Sequence, residues 1–204
     1  MKKLVLPLLV VIATMISGKS QAQEGRIIVD GYYGYGSLYN AIFKAIVSTD
    51  ESSTFKGLGP FGFRGEYMIS DKVGFGLDLA YSSAKIEYSE TTTEWDENFN
   101  TVSTTYDASL KTAKVGAMVT FNYHFVNSDK FDSYFIFGLG YGNRSFTAES
   151  DYAGYVSPTY NSTFPVASRL GVGMRYFFTE NIGLNLGLGL GQGGLLNAGV
   201  SARF

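Results

Sequence analysis

The chain has no cysteine among its 204 residues, which removes disulfide bridges and thiolate metal sites from consideration. That absence does not assign a compartment. Charged residues make up only 17%, below the roughly 25% of an ordinary soluble domain. Only four prolines are present, and the single histidine is His124. No apolar run reaches the ~20 residues that a membrane-crossing helix requires. There is no basic excess either. The formal charge is −2, and it becomes −5 once Lys2, Lys3 and Lys19 are set aside, which argues against nucleic acid as a partner. What the chain has in quantity is Gly (25), Phe (16) and Tyr (15), too much apolar surface for a disordered polymer.

The first residues look like a leader. "MKK" is a positive start, "LVLPLLVVIA" an apolar core, and "SQA" before Gln23 a small-x-small cleavage pattern. Residues 1–22 therefore read as a secretory signal peptide, leaving 23–204 as one mature domain.

From there the chain alternates. In Ile182–Gly191 the even positions are Ile182, Leu184, Leu186, Leu188 and Leu190, and the odd ones are Gly183, Asn185, Gly187, Gly189 and Gly191. Period two marks a strand with two unlike faces. The same pattern recurs in "IIVDGYYGY", "FGFRGEYM", "VGFGLDLAY", "AKVGAMVTFNYH", "YFIFGLGYG", "SRLGVGMRYF" and "LNAGVSARF", giving eight candidate strands. Short polar turns at Ser70–Lys72, Asn127–Lys130 and Thr179–Asn181 join strands two to three, four to five and six to seven. Long loops join one to two, three to four and five to six. A weak internal repeat, "EYMISDKVGFGLDL" against "RYFFTENIGLNLGL", suggests a reused hairpin.

Within these eight cores the Leu, Val, Phe and Tyr face carries no Asp, Glu, Lys or Arg. The other face holds glycine, small polar residues and the charges Asp30, Arg64, Glu66, Asp78, Lys114, Arg169, Arg175 and Arg203. A soluble sheet would turn the greasy face inward and show water a surface of bare glycine backbone. A membrane barrel does the reverse, and three features favour it. The strands run about nine to eleven residues, enough to cross a bilayer at a tilt. Tyr67, Tyr123, Tyr176 and Phe204 flank the stripes at the short-turn end, with Tyr33, Tyr35, Tyr81 and Tyr141 toward the long loops, as two interfacial girdles would. Glycine leaves room in a narrow interior for Tyr32, Arg64 or Arg169. Lipid offers no hydrogen bonds, so such a sheet must close on itself.

On these residues, together with the ending "AGVSARF", the mature chain resembles the small eight-stranded outer-membrane barrels of Gram-negative bacteria, of the OmpA-barrel and OmpX type. The resemblance implies an all-β, antiparallel up-and-down transmembrane barrel with both termini periplasmic. It also implies contact with outer-membrane lipid and lipopolysaccharide, and handling by the outer-membrane assembly machinery. Val200, Ala202 and Phe204 match the family's terminal assembly signal. With the sequence ending at Phe204, no peptidoglycan-binding domain of the kind found in full-length OmpA proteins is expected after the barrel.

An eight-stranded interior is just filled by side chains. The eight inward charges named above are then desolvated and expected to pair as a structural plug, with a gated ion path as the alternative reading. Nucleophilic catalysis needs a base beside its nucleophile. His124 points inward beside the turn "VNSDK", away from the outer leaflet, and no serine spacing accompanies it, so no catalytic residue is assigned. Neither a cofactor nor a metal site is expected. Specificity falls to the loops. "SETTTEWDENFNTVSTTYDAS" is expected to lengthen strands three and four as a hairpin bearing Trp95, Asp96 and Glu97, and "DYAGYVSPTYNST" presents Tyr152, Tyr155 and Tyr160. Leu38–Val47 is apolar with helical spacing and suits either an interfacial segment or a continued strand. The favoured function is structural, with adhesion or an extracellular protein partner at the loops. A small-solute or ion pore and a lipid-A-modifying esterase or acyltransferase are the alternatives.

Overall fold

A computed structural model describes residues 24–36, 53–97, 99–152 and 154–204. The expected signal peptide and the apolar stretch Leu38–Val47 lie outside the described residues. Among the described residues nine strands occur: β1 (Ile27–Tyr35), β2 (Thr54–Ser70), β3 (Val73–Trp95), β4 (Thr101–Asn127), β5 (Phe131–Ser150), β6 (Thr159–Asn161), β7 (Val166–Phe177), β8 (Ile182–Gly191) and β9 (Leu196–Arg203). All pairings are antiparallel. Each strand of the ring pairs with the next, β5 passing to β7, and β9 returns to β1, so eight strands close the barrel. The three-residue β6 only flanks the upper part of β5 at Ser145–Thr147. Closure leaves no edge in the hydrocarbon, where an unpaired peptide group would cost several kcal/mol.

Outside and inside are inverted relative to a soluble protein. Leu77, Leu170 and Leu188 are about 62% exposed on the outer wall, whereas Asp78 and Arg175 are fully buried in the bore. The register aligns the outer wall into apolar belts: Val29, Gly65, Leu77, Val119 and Leu139 are successive cross-strand neighbours. Tyr67, Tyr123 and Tyr176 are exposed near the short turns, and Tyr33, Tyr35 and Tyr141 near the other end. The interior is not wholly polar. Ile28, Met68 and Phe177 form a dry cluster at its short-turn end, and the Arg203 guanidinium carbon lies 4.1 Å from the Phe177 ring centre.

Strands β3 and β4 greatly exceed the length needed to cross lipid. Their register runs without a break from Val73 opposite Tyr123 to Trp95 opposite Thr101. The Thr-rich tract is therefore a paired ribbon, as its composition suggested. It is held by Thr91–Thr105 and Thr93–Ser103 hydroxyl contacts of 2.9 and 3.0 Å. β-Branched residues facing one another across strands suit such a ribbon.

Candidate functional site: the packed bore

Strand register builds the centre of the bore before any long side chain reaches across it. Ser201, Asp30, Arg64 and Asp78 are direct neighbours on β9, β1, β2 and β3, all on the inner face. Asp132 stands opposite Arg175 on β5 and β7. These two wall patches then join across the lumen. Arg175 donates from Nε and Nη2 to Asp30 at 3.0 and 2.8 Å, from Nη2 to Glu66 at 2.7 Å, and from Nη1 to Asp132 at 2.9 Å. One guanidinium thus ties β7 to β1, β2 and β5. Arg64 donates from Nε to Asp78 at 3.1 Å and from Nη1 to the Tyr134 hydroxyl at 3.0 Å. Tyr32 donates to Asp78 at 2.7 Å, and Ser201 to Asp30 at 2.6 Å. The Arg175 guanidinium also stacks 4.2 Å from the Tyr134 ring centre. Ions taken this far from water are tolerated only with such a full set of hydrogen bonds.

His124 is fully buried between Asp132, 2.6 Å from Nδ1, and Glu66, 2.8 Å from Nε2. Both ring nitrogens are engaged by carboxylates, leaving neither for a hydroxyl nucleophile. The histidine belongs to the plug.

The expectation that every inward charge pairs with an opposite one needs correction at three positions. Lys114 is half-buried near the hairpin end and has no carboxylate partner among the described residues. Arg169 is buried, but its Nη1 donates to the Gln192 carbonyl, and its Nε has no hydrogen-bond partner among the described residues. Arg203 is buried and donates to the carbonyls of Glu180 and Asp129 at 2.5 and 2.6 Å. Short turns and a folded-in loop bring backbone oxygens within reach of Arg169 and Arg203, so these two cations need no acid.

That folded-in loop is the β8–β9 turn. Gly191, Gly193 and Gly194 have φ of 94°, 93° and 78°, a region glycine enters without the Cβ clash other residues meet. The turn dips into the bore and sets Gln192 on the plug, its Nε2 donating to Asp78 Oδ1 at 3.0 Å. A Cβ on Gly193 would collide with the Arg169 guanidinium. Lower glycines serve the interior in two ways. Gly62 gives way to the Tyr32 ring, with 2.5 Å from a built Cβ to its hydroxyl, while Gly183 accommodates the neighbouring backbone of β7. The second use, close approach of adjacent strands in a tightly curved wall, adds to the expected one.

Ser201 lies on the inward phase of "LNAGVSARF" beside Arg203, whereas Asp132 and Gln192 are plug residues outside the quoted alternating stretches. Asp132 shares the inward phase of Tyr134, two residues on, so extending that strand backward reveals it. Gln192 carries no such signal, because it sits in a turn.

The loop residues are spread rather than gathered. Trp95, Tyr152, Tyr155 and Tyr160 are exposed. Tyr152 packs on Tyr106 with ring centres 5.3 Å apart, and its hydroxyl donates to Glu94 at 3.4 Å. Asp96 accepts from the Asn100 backbone at 2.7 Å and closes the hairpin turn, while Glu97 is exposed in it. Val200 and Phe204 face outward at the end of the chain, with Ala202 half-buried between them. Below the hairpin tips, Glu87 meets Lys56 at 2.6 Å and Lys85 at 2.5 Å. Those two ammonium groups hold its carboxyl down to about 2.

An edgeless cylinder, greasy outside and ionically filled within, defines an integral barrel of a lipid bilayer. Consistent with that class, the family model described as "Outer membrane protein beta-barrel domain" matches residues 6–204, and this chain belongs to that family. The protein is accordingly one of the Gram-negative outer membrane. No curated protein sequence matches it. Among solved structures, the N-terminal barrel domain of Pseudomonas aeruginosa OprF is 16% identical over 90% of this chain and 100% of that one, with a TM-score of 0.43. Yersinia pestis Ail, the attachment invasion locus protein, crystallised with the heparin analogue sucrose octasulfate, is 15% identical over 89% and 99%, at 0.42. Pseudomonas aeruginosa OprG is 12% identical over 93% and 99%, at 0.48.

Proposed function

We propose that this chain is a closed, non-conducting barrel. Its work is to reinforce the outer membrane and to hold a contact surface clear of it. The observation that carries the reading is Arg175, whose guanidinium bonds acids on three other strands and so bars the bore at mid-height. A dry cluster beneath it and Gln192 above it complete the blockage. Opening a water path would unpair several desolvated ions together, and breaking one such pair costs about 3–5 kcal/mol. On the outside, the β3–β4 ribbon and the β5–β7 connection hold Trp95, Asp96, Glu97, Tyr152, Tyr155 and Tyr160 away from the apolar belt. Tyrosine supplies rigid amphipathic contact area at low entropy cost, a composition suited to protein partners. Val200, Ala202 and Phe204 serve as the recognition signal for assembly, with the termini on the periplasmic side.

The test is electrical. Reconstituted into planar bilayers, the refolded protein is expected to leave the membrane at baseline conductance at physiological voltages. Discrete, reproducible openings would overturn the closed-barrel reading and favour a pore.

A further inference from the structure

Beyond the tyrosine girdle, the outer wall of β2, β3 and β4 sets three cations in one row. Lys56 stands opposite Lys85, and Lys85 opposite Lys111, as direct cross-strand neighbours. Strand parity puts Lys85 on the outer face, with Leu77, Leu79 and Tyr81, and its two partners share that face. Like charges set opposite one another on a sheet are destabilising, so pairing of the strands does not account for the row. Glu87, Ser109 and Glu149 form the next row but one, further from the girdle. Glu87 pairs with both Lys56 and Lys85, and Glu149 with Lys111. Two acids thus answer three cations, and exposed pairs of this kind contribute little and exchange readily. Toward the girdle, the wall next to the lysines is made of small side chains, Ser83, Ala113 and Ser145, beside Leu58. With the lysines and Tyr81 they line a recess of about 430 Å³, within the size range of small-ligand sites. No acid lines it among the described residues. Lys85 lies four residues beyond Tyr81. That is ~13 Å along the strand and ~10 Å along the membrane normal at the usual tilt. A headgroup layer is ~5–8 Å thick, so lysine stems turned toward the girdle place their ammonium groups within it.

We propose that this recess seats a phosphate of the phosphorylated glycolipid of the outer leaflet, the phosphomonoester spanning Lys56, Lys85 and Lys111 while its acyl chains run down over Leu77 and Leu79. Contact with lipid follows for any barrel of this class. The lysine row adds a fixed seat for one headgroup charge on one side of the cylinder. A phosphomonoester carries up to two negative charges and three acceptor oxygens, so it meets all three ammonium groups at once and relieves their mutual repulsion. Lysine's compact charge suits that ligand. The small side chains beneath the row leave room for the sugar that bears the phosphate. This assignment rests on the orientation given above, with the termini periplasmic and the long hairpins outside.

The test uses the refolded mature chain in detergent micelles, titrated with bisphosphorylated lipid A, with the bound lipid counted by native mass spectrometry. Saturable retention is expected. Lys56→Gln, Lys85→Gln and Lys111→Gln are each expected to weaken it about threefold, the scale of an exposed ion pair. The triple Gln variant is expected to lose saturable binding, and the triple Lys→Arg variant to keep it. Lys130→Gln, at the short-turn end, is expected to change nothing. Heat-dependent gel mobility checks that each variant has closed its barrel. The seat is refuted if the triple Gln variant retains as much lipid A as the parent, or if lipid A stripped of its phosphates is retained equally. Equal competition by phosphatidylglycerol would reduce the row to an unselective anionic-lipid contact and overturn it as well. Displacement by inorganic phosphate would assign the row to soluble anions and overturn the lipid assignment. Binding in micelles does not depend on which way the barrel sits in the cell. Orientation is read from protease cuts on intact cells and closure from conductance, so each reading fails separately.

Discussion

At Arg175 the cost of burying an ion and the cost of losing it are very different. The folded wall supplies every acceptor this guanidinium needs, so the residue is tolerated, yet removing it takes a buried cation from Asp30, Glu66 and Asp132 together and leaves them only Arg64, Ser201 and His124. Arg175→Met is expected to lower stability by about 3–5 kcal/mol, measured by urea unfolding in detergent micelles. Lys56→Met, which loses an exposed pair, is expected to change it by ~1 kcal/mol or less. Equal effects would show that the bore is wet and the plug inert. Which residues point inward is legible from parity alone, as Asp30, Arg64, Glu66 and Asp78 demonstrate. Which of them touch is not. The Arg175–Glu66 contact joins residues 109 apart in sequence, and its existence depends on how far each strand is staggered around the ring. Asp132 is hidden for a smaller reason: it precedes the alternating stretch "YFIFGLGYG", which begins at Tyr134.

Among the elements, the β3–β4 ribbon departs furthest from what periodicity reports. Both of its faces stand in water beyond the bilayer, so the sequence there shows no greasy and polar alternation to count, only threonine and acid. Composition marks a hairpin; the register comes from side-chain pairs such as Ser89 with Asp107 at 2.8 Å and Tyr106 with Glu90 at 2.8 Å. A paired ribbon resists proteolysis because cleavage needs an extended, unpaired backbone. On intact cells, a broad-specificity protease is therefore expected to cut in the turn Asp96–Asn100 and within 154–158, sparing the ribbon arms. Ser70–Lys72, at the opposite end, is expected to stay protected. Mapping the fragments by mass spectrometry checks this, and cuts scattered through Ser89–Trp95 would show that the ribbon does not persist.

The molecule as a whole is a set of neighbouring hairpins plus one distant closure. Closure itself was legible, since chain-long alternation in a lipid setting admits no open edge, but neither the β6 annex nor the inward β8–β9 turn could be counted from a period. β1 and β9 complete the ring, with Ile27 N donating to the Phe204 carbonyl at 3.1 Å and Phe204 N donating to that of Ile27 at 2.9 Å. One side of the first strand is therefore paired only by the final strand. Beginning and end meet side by side, so where the polypeptide starts is a matter of gene order rather than of architecture. A circular permutant that links Phe204 to Gly25 through a few flexible residues and opens the chain between Glu97 and Phe99 is expected to fold into the same cylinder, with the same heat-dependent gel shift. A permutant that stays at its unfolded mobility would mean that this seam must be zipped last.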